Sequence, residues 1–203
     1  TVPLIGLSQN IYSGDDIKFN QDSSLVLLKS NDTPVSGILK KTCKQKGMIF
    51  KIKTNCEFVI KNGLFISSKG YYKNNQISQE TQRNGICKFY YKNGNIKYTG
   101  NMTEGMYNGT WKHFDKKGNL EREDTFQEND LITEKYYKKN GLLDFEIEWT
   151  SDNSCIFKNY YEGFLIEEGT LNNGKKEGVW KHYYENGQLE KEIIFKNGKK
   201  LKK

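Results

Sequence analysis

Alanine is absent from this 203-residue chain, proline occurs only as Pro3 and Pro34, and arginine only as Arg83 and Arg122. Alanine is the best intrinsic helix former, so its absence argues against a helical fold. No apolar run approaches the roughly 20 residues that a membrane-spanning helix needs. The formal charge is +7, but 32 basic residues contain only those two arginines. Sequence-specific nucleic-acid readers depend on bidentate arginine, so the charge is read as solubility, and sequence-specific nucleic acid is excluded as a partner. Histidine is equally scarce. His113 and His182 face Arg122 and Lys191 across the expected hairpins, which supplies neither a nucleophile nor an orienting acid. Both are read as repeat fillers, and no catalytic residue is assigned. The four cysteines, Cys43, Cys56, Cys87 and Cys155, lack any CxxC spacing, so no metal site is expected. The glycines fall at turn intervals and form no phosphate loop, so no cofactor is expected.

What the chain does have is 13 tyrosines, 11 phenylalanines and 19 glycines, a composition of strands and turns. Its clearest unit runs from Gly178 to Lys199. There Asn186-Gly187 separates two aromatic and aliphatic runs, which predicts a type I′ hairpin turn with positive φ at both central residues. That turn pairs Tyr184 with Leu189, His182 with Lys191 and Trp180 with Ile193. Trp180, Tyr184, Leu189, Ile193 and Phe195 then share an apolar face, with Val179, Lys181, Tyr183, Glu190, Glu192 and Ile194 on the other. Related turns fall at positions 47, 75, 94, 118, 141, 163 and 187, a period in the low twenties from 94 onward. Such a period means stacked supersecondary units that cannot bury their faces alone. The expected fold is all-β: an elongated antiparallel meander of stacked β-hairpins in a twisted or curled sheet. Residues 1–35 are read as an N-terminal leader segment with short strands, one near Ile17 to Phe19, and residues 36–203 as the repeat domain. Whether residues 1–35 pair with the sheet stays open.

One periodic feature is a candidate binding surface. Lys88, Lys112, Lys158 and Lys181 hold one repeat position, and Tyr90, Phe114, Tyr160 and Tyr183 hold the position two residues on. Both rows lie on the face opposite Trp180. The competing reading is cross-strand stabilisation, with each ring resting on lysine stems. The alternating acids Glu121/Glu123 and Glu190/Glu192 are read as a solvated face. Cys87 replaces tryptophan at its repeat position and is read as core. Cys43 and Cys56 flank the first turn; buried thiols are preferred, with a Cys43–Cys56 disulfide the alternative in an exported protein.

The pattern Gly-x-Trp-Lys-x-Tyr-Tyr-x-Asn-Gly-x-Leu, followed by Lys-Asn-Gly-Lys-Lys, resembles the bacterial variant of the MORN repeat (membrane occupation and recognition nexus). Gly178 to Lys200 carries it most closely. Gly85 to Ile96 has Cys87 for tryptophan, and Gly109 to Leu120 has Phe114-Asp115 for Tyr-Tyr. Residues 131–165 are looser, and 47–77 looser again. Thr33 to Gly37 also resembles a Thr-Pro-x-Thr-Gly segment of some exported members. The resemblance implies a β-hairpin repeat sheet without catalysis of its own. Repeat regularity without a catalytic constellation points to a scaffold that binds another protein, exported or at the cell envelope. An antitoxin or immunity protein that neutralises a partner toxin is the alternative. Docking on an anionic lipid surface and a cytoplasmic location are further options.

Overall fold

The computed structural model of the chain describes residues 10–13, 15–19, 21, 25–44, 53–151 and 153–201, and the side chains of these except 41–44, 53 and 54. Every regular element among the described residues is a strand. The chain divides into two compact units, Thr1–Ile96 with Met102–Gly105, and Lys97–Asn101 with Met106–Lys203.

The first unit holds β1 (Ile11–Tyr12), β2 (Ile17–Phe19), β3 (Val26–Leu28), β4 (Gly37–Lys44), β5 (Lys53–Lys61), β6 (Leu64–Tyr71), β7 (Ile77–Gln82) and β8 (Gly85–Tyr90). Here β1 lies parallel to β4, and β4 to β8 follow as an antiparallel meander. β2 and β3 form a separate two-stranded sheet. Ile17, Val26 and Val35 are buried with Leu39 and Ile60, and Tyr12, Leu28, Phe58 and Phe65 pack around them. Residues 10–35 therefore supply much of this unit's core, and Ile11–Tyr12 pairs directly with the sheet beside Ile38–Leu39. The strand expected near Ile17 to Phe19 is β2. β5 and β6 are joined at Asn62-Gly63, with positive φ at both residues (51° and 78°), as a type I′ turn requires. The turn expected at Gly47 lies outside the described residues.

β9 (Ile96–Thr103) contributes to both units. The second unit continues with β10 (Met106–Phe114), β11 (Leu120–Gln127), β12 (Asp130–Tyr137), β13 (Leu143–Ser151) and β14 (Ser154–Tyr161). It ends with β15 (Phe164–Asn172), β16 (Lys175–Tyr183), β17 (Leu189–Lys196) and β18 (Lys199–Lys200). These strands pair antiparallel in chain order, and the sheet does not close into a barrel. The all-β meander of hairpins expected from composition and period is the observed fold.

The turn at Asn186-Gly187 is not type I′. Gly187 has φ of 81°, while Asn186 stays in the ordinary negative range. The Gly187 N–H donates to the Tyr184 carbonyl at 2.9 Å, and the Tyr184 N–H donates to the Gln188 carbonyl at 2.9 Å. This is a type I turn followed by a glycine bulge. Asparagine serves it with its side chain: Asn186 Oδ1 accepts the Gln188 N–H at 3.0 Å. The same hydrogen bonds close the turns at 75, 94, 118 and 141. The turn at 163 differs, since Glu162 and Gly163 both have positive φ (49° and 89°), the type I′ signature. The bulge moves the final pair by one residue. Trp180–Ile193 and His182–Lys191 pair as expected, but Leu189 faces Tyr183, not Tyr184. Tyr184 and Leu189 are accordingly exposed and leave the apolar face.

Candidate functional site

The two predicted rows are brought together, and the structure adds a third partner. On the face opposite Trp180, each lysine of an even-numbered strand stands across from a glutamate of the odd-numbered strands. In the first unit the register runs Lys40, Glu57, Lys69, Glu80, Lys88. In the second it runs Lys112, Glu123, Lys135, Glu146, Lys158, Glu168, Lys181, Glu192. Each glutamate except Glu192 also meets a tyrosine hydroxyl from the strand that follows it. Glu123 binds Lys112 Nζ at 3.3 Å and accepts the Tyr137 O–H at 2.7 Å. Glu146 takes Lys135 at 3.7 Å and Tyr160 at 3.3 Å. In the first unit Glu80 takes Lys69 at 3.3 Å and Tyr90 at 2.8 Å, and Glu57 takes Lys40 and Tyr71, each at 3.3 Å. Glu168 accepts the Tyr183 hydroxyl. The result is a Lys–Glu–Tyr clasp spanning three consecutive strands, repeated along each unit. Glu123, expected on a plain solvated face, belongs to it. Phe114 holds the tyrosine position on β10 without a hydroxyl.

These hydrogen bonds change how the tyrosines ionise. Burial and the bond to Glu80 push Tyr90 up to about 12, and burial and Glu123 do the same to Tyr137. For Tyr183 the bond to Glu168 is the larger cause and burial the smaller, again to about 12. Tyr71 and Tyr160 are raised as well, chiefly by burial. A folded-state value above the ordinary 10 means that the fold favours the neutral phenol. The resulting stability is fully present below pH 10 and is lost as pH rises from 10 through about 12. An alkaline titration followed by phenolate absorbance is therefore expected to show two groups of tyrosines, the later one ionising together with unfolding. Phe replacement of Tyr90, Tyr137 and Tyr183 should remove most of the late group. A single transition near 10 in the wild type would contradict the clasp.

On the opposite face of the second unit, Trp111 and Trp180 are each only 1% exposed. The Trp180 indole N–H donates to the Thr170 carbonyl at 3.1 Å, and its ring lies against Gly169. Trp111 repeats the arrangement with the Asn101 carbonyl at 3.1 Å and with Gly100. A run of rings, Tyr136, Phe145, Phe157, Trp180 and Phe195, crosses this face from β12 to β17, with the Phe157–Trp180 contact spanning β15 at Gly169. Cys87 is fully buried at the tryptophan position of the first unit, as expected. Cys155 is buried in β14, where burial raises its thiol.

On β12 the tryptophan position holds Glu134, and a polar cluster forms there. Arg122 reaches Asp124 Oδ2 at 2.9 Å and Glu134 Oε1 at 3.6 Å. Glu134 also accepts the Tyr136 hydroxyl at 2.9 Å and the Trp149 indole N–H at 3.0 Å. His113 Nε2 lies 2.8 Å from Asp124, and its ring stacks on Tyr98. His113 thus has an acid partner, two residues beyond the Arg122 opposite it, contrary to the sequence expectation. His182 lies 3.5 Å from Glu167 without hydrogen-bond geometry. His113 and Arg122 border a cleft of about 550 Å³ whose other residues include Tyr136, Lys138 and Lys139, and no serine, threonine or cysteine lines it.

The sequence reading missed Lys135 and Tyr137, the clasp glutamates, and this buried cluster. Reading Glu134-Lys135-Tyr136-Tyr137 against Trp180-Lys181-His182-Tyr183 would have found the first two and flagged a carboxylate at a core position. For the candidate disulfide, the register sets Cys56 against Lys41 and Cys43 against Thr54, and the Cys43 side chain lies outside the described residues. No group of residues that could hold a metal ion occurs among the described residues.

Paired hairpins, a recurring bulged turn and one recurring clasp define a β-hairpin repeat protein. Residues 83–103, 107–128 and 176–197 match the family described as the MORN repeat variant. The latter two segments are the hairpins β10–β11 and β16–β17 with their tryptophans. No curated protein matches the chain.

Proposed function

We propose that this chain is a non-enzymatic repeat scaffold that binds another protein, acting at the bacterial cell envelope or outside the cell. One observation carries the protein-binding reading. Large side chains of adjoining strands and turns in the second unit stay in solvent: Tyr161 at 52%, Phe164 at 48% and Tyr184 at 53% exposure. Exposed apolar surface rimmed by polar groups marks interaction sites, and aromatics are enriched in them. The Lys–Glu–Tyr face is a weaker candidate, since its groups already satisfy one another. Its lysines alternate with as many glutamates in the second unit, which disfavours docking on anionic lipid. MORN repeats generally mediate binding to proteins or membrane lipids, which supports a scaffold. Export rests on the resemblance of Thr33 to Gly37 alone.

The test is affinity capture from the source organism. Wild type, Tyr161→Ser/Tyr184→Ser and Tyr90→Ser/Tyr160→Ser are compared, each checked for folding. Wild type is expected to retain one protein, the first variant to lose it and the second to keep it. Loss only in the second variant would move binding to the clasp face. Sedimentation with anionic vesicles at low salt, with no protein retained, would overturn the reading. A toxin as the retained protein would select the antitoxin alternative.

A further inference from the structure

Resting on the protein-binding reading, we infer that the cleft walled by Tyr161, Ile166, Tyr183, Tyr184, Glu185 and Asn186 seats a cationic side chain, a lysine or arginine on an extended segment of the partner protein. The cleft has a volume of about 610 Å³, room for one long side chain and its backbone. Three phenol rings line it, and aromatic faces attract ammonium and guanidinium groups through their negative quadrupole. One of these rings already takes a cation from its own chain. Lys138 Nζ lies 5.4 Å from the centroid of Tyr161, while Lys138 itself is not part of this cleft.

Charge complementarity selects the occupant. Glu185 forms part of the wall and makes no ion pair among the described residues. In a chain whose sheet glutamates mostly have lysine, arginine or tyrosine partners, this carboxylate beside three rings is available. A wholly apolar segment would desolvate Glu185 with nothing to pair it. An anion would face both that carboxylate and the negative ring faces. A lysine or arginine satisfies both, with a charge-assisted hydrogen bond to Glu185. The walls are held before binding: the Tyr183 hydroxyl is tied to Glu168, and Asn186 Oδ1 is occupied by the Gln188 N–H at 3.0 Å. Little ordering is then required on association.

The probe is a short end-capped glycine-serine peptide with one central lysine. Its uncharged control carries norleucine, the same four-carbon chain without the ammonium. Binding to the full chain is followed by chemical-shift changes of the tyrosine ring protons. The lysine peptide is expected to saturate and to weaken as salt is raised, while the control does not saturate. Tyr161→Leu and Tyr184→Leu keep apolar bulk but remove the quadrupole, and each should weaken binding roughly fivefold. Glu185→Gln should weaken it by roughly threefold. Unfolding midpoints matching wild type confirm that the variants fold. Equal binding of the norleucine control, or undiminished binding by both leucine variants, overturns the cationic seat. Those outcomes leave the scaffold reading standing. Failure of affinity capture to yield a protein, with the lysine peptide still binding, would sink the scaffold reading and leave the seat intact.

Discussion

Gly169→Ala is expected to destabilise the second unit by about 3 kcal/mol, the upper range for overpacking a filled site. A Cβ at this position would lie 2.4 Å from Cδ2 and 2.5 Å from Cε2 of Trp180, closer than any real contact. The ring has no easy retreat. Its N–H is bound to Thr170, the Lys176 ammonium sits 3.8 Å over its face, and Phe157 and Phe195 contact it on either side. Gly163→Ala is the matched control. That glycine has φ of 89° and open space around its absent Cβ, so alanine there should cost only about 1 kcal/mol of backbone strain. Urea unfolding followed by tryptophan fluorescence compares the two. Trp180→Leu added to Gly169→Ala should cost less than the sum of the single changes, because the smaller side chain relieves the clash. Equal effects of the two alanine substitutions would show that the ring is not clamped. Gly100, whose Cβ would stand 2.2 Å from Trp111, should behave as Gly169 does.

Arg122→Met is the second large effect, with an expected loss of about 3–5 kcal/mol. Arg122 is the cation shared by Asp124 and Glu134, which are only 4% and 8% exposed. Removing it leaves two carboxylates facing each other across β11 and β12, where Asp124 is paired with Glu134. Arg122→Lys should restore only part of the loss, since an ammonium cannot span two carboxylates as a planar fork does. Adding Asp124→Asn and Glu134→Gln to Arg122→Met should recover stability, as the amides carry no charge to be compensated. Glu134→Gln keeps one oxygen for the Trp149 N–H, and its amide N–H can donate to the Tyr136 hydroxyl, which turns from donor to acceptor. If the triple variant is no more stable than Arg122→Met, the cluster is held by something other than its charges.

The sequence was most legible where one residue type has one use. Gly94, Gly118, Gly141 and Gly187 mark their turns because only glycine enters the left-handed region without cost. Trp180 with Ile193 and His182 with Lys191 could be paired by counting outward from the Asn-Gly turn. The turn type was not legible, because Asn-Gly suits two turns for different reasons. It supplies two positive φ angles in type I′, or a side-chain acceptor followed by one positive φ in the bulged turn. The second use displaced Tyr184 and Leu189 from the core and left Tyr184 beside Glu185 in solvent. The clasp glutamates were hidden because their tyrosines come from the following strand and meet them diagonally across the sheet. Glu134 was hidden by its charge, which reads as surface until Arg122 is placed next to it. The first unit's core draws on Ile17, Val26 and Val35, which follow no period and offered no pattern to read.

From β10 to β17 lysine on even strands alternates with glutamate on odd strands, and this sets an arithmetic for the length of the second unit. Removing or duplicating a hairpin, two strands at a time, leaves every lysine beside a glutamate. Removing a single strand brings lysine against lysine, or glutamate against glutamate, at the new seam, and like charges directly opposite repel. The chain can therefore gain or lose length in whole hairpins without redesigning the surfaces that meet. Its sheet is written in two-letter words, and only whole words can be inserted or struck out.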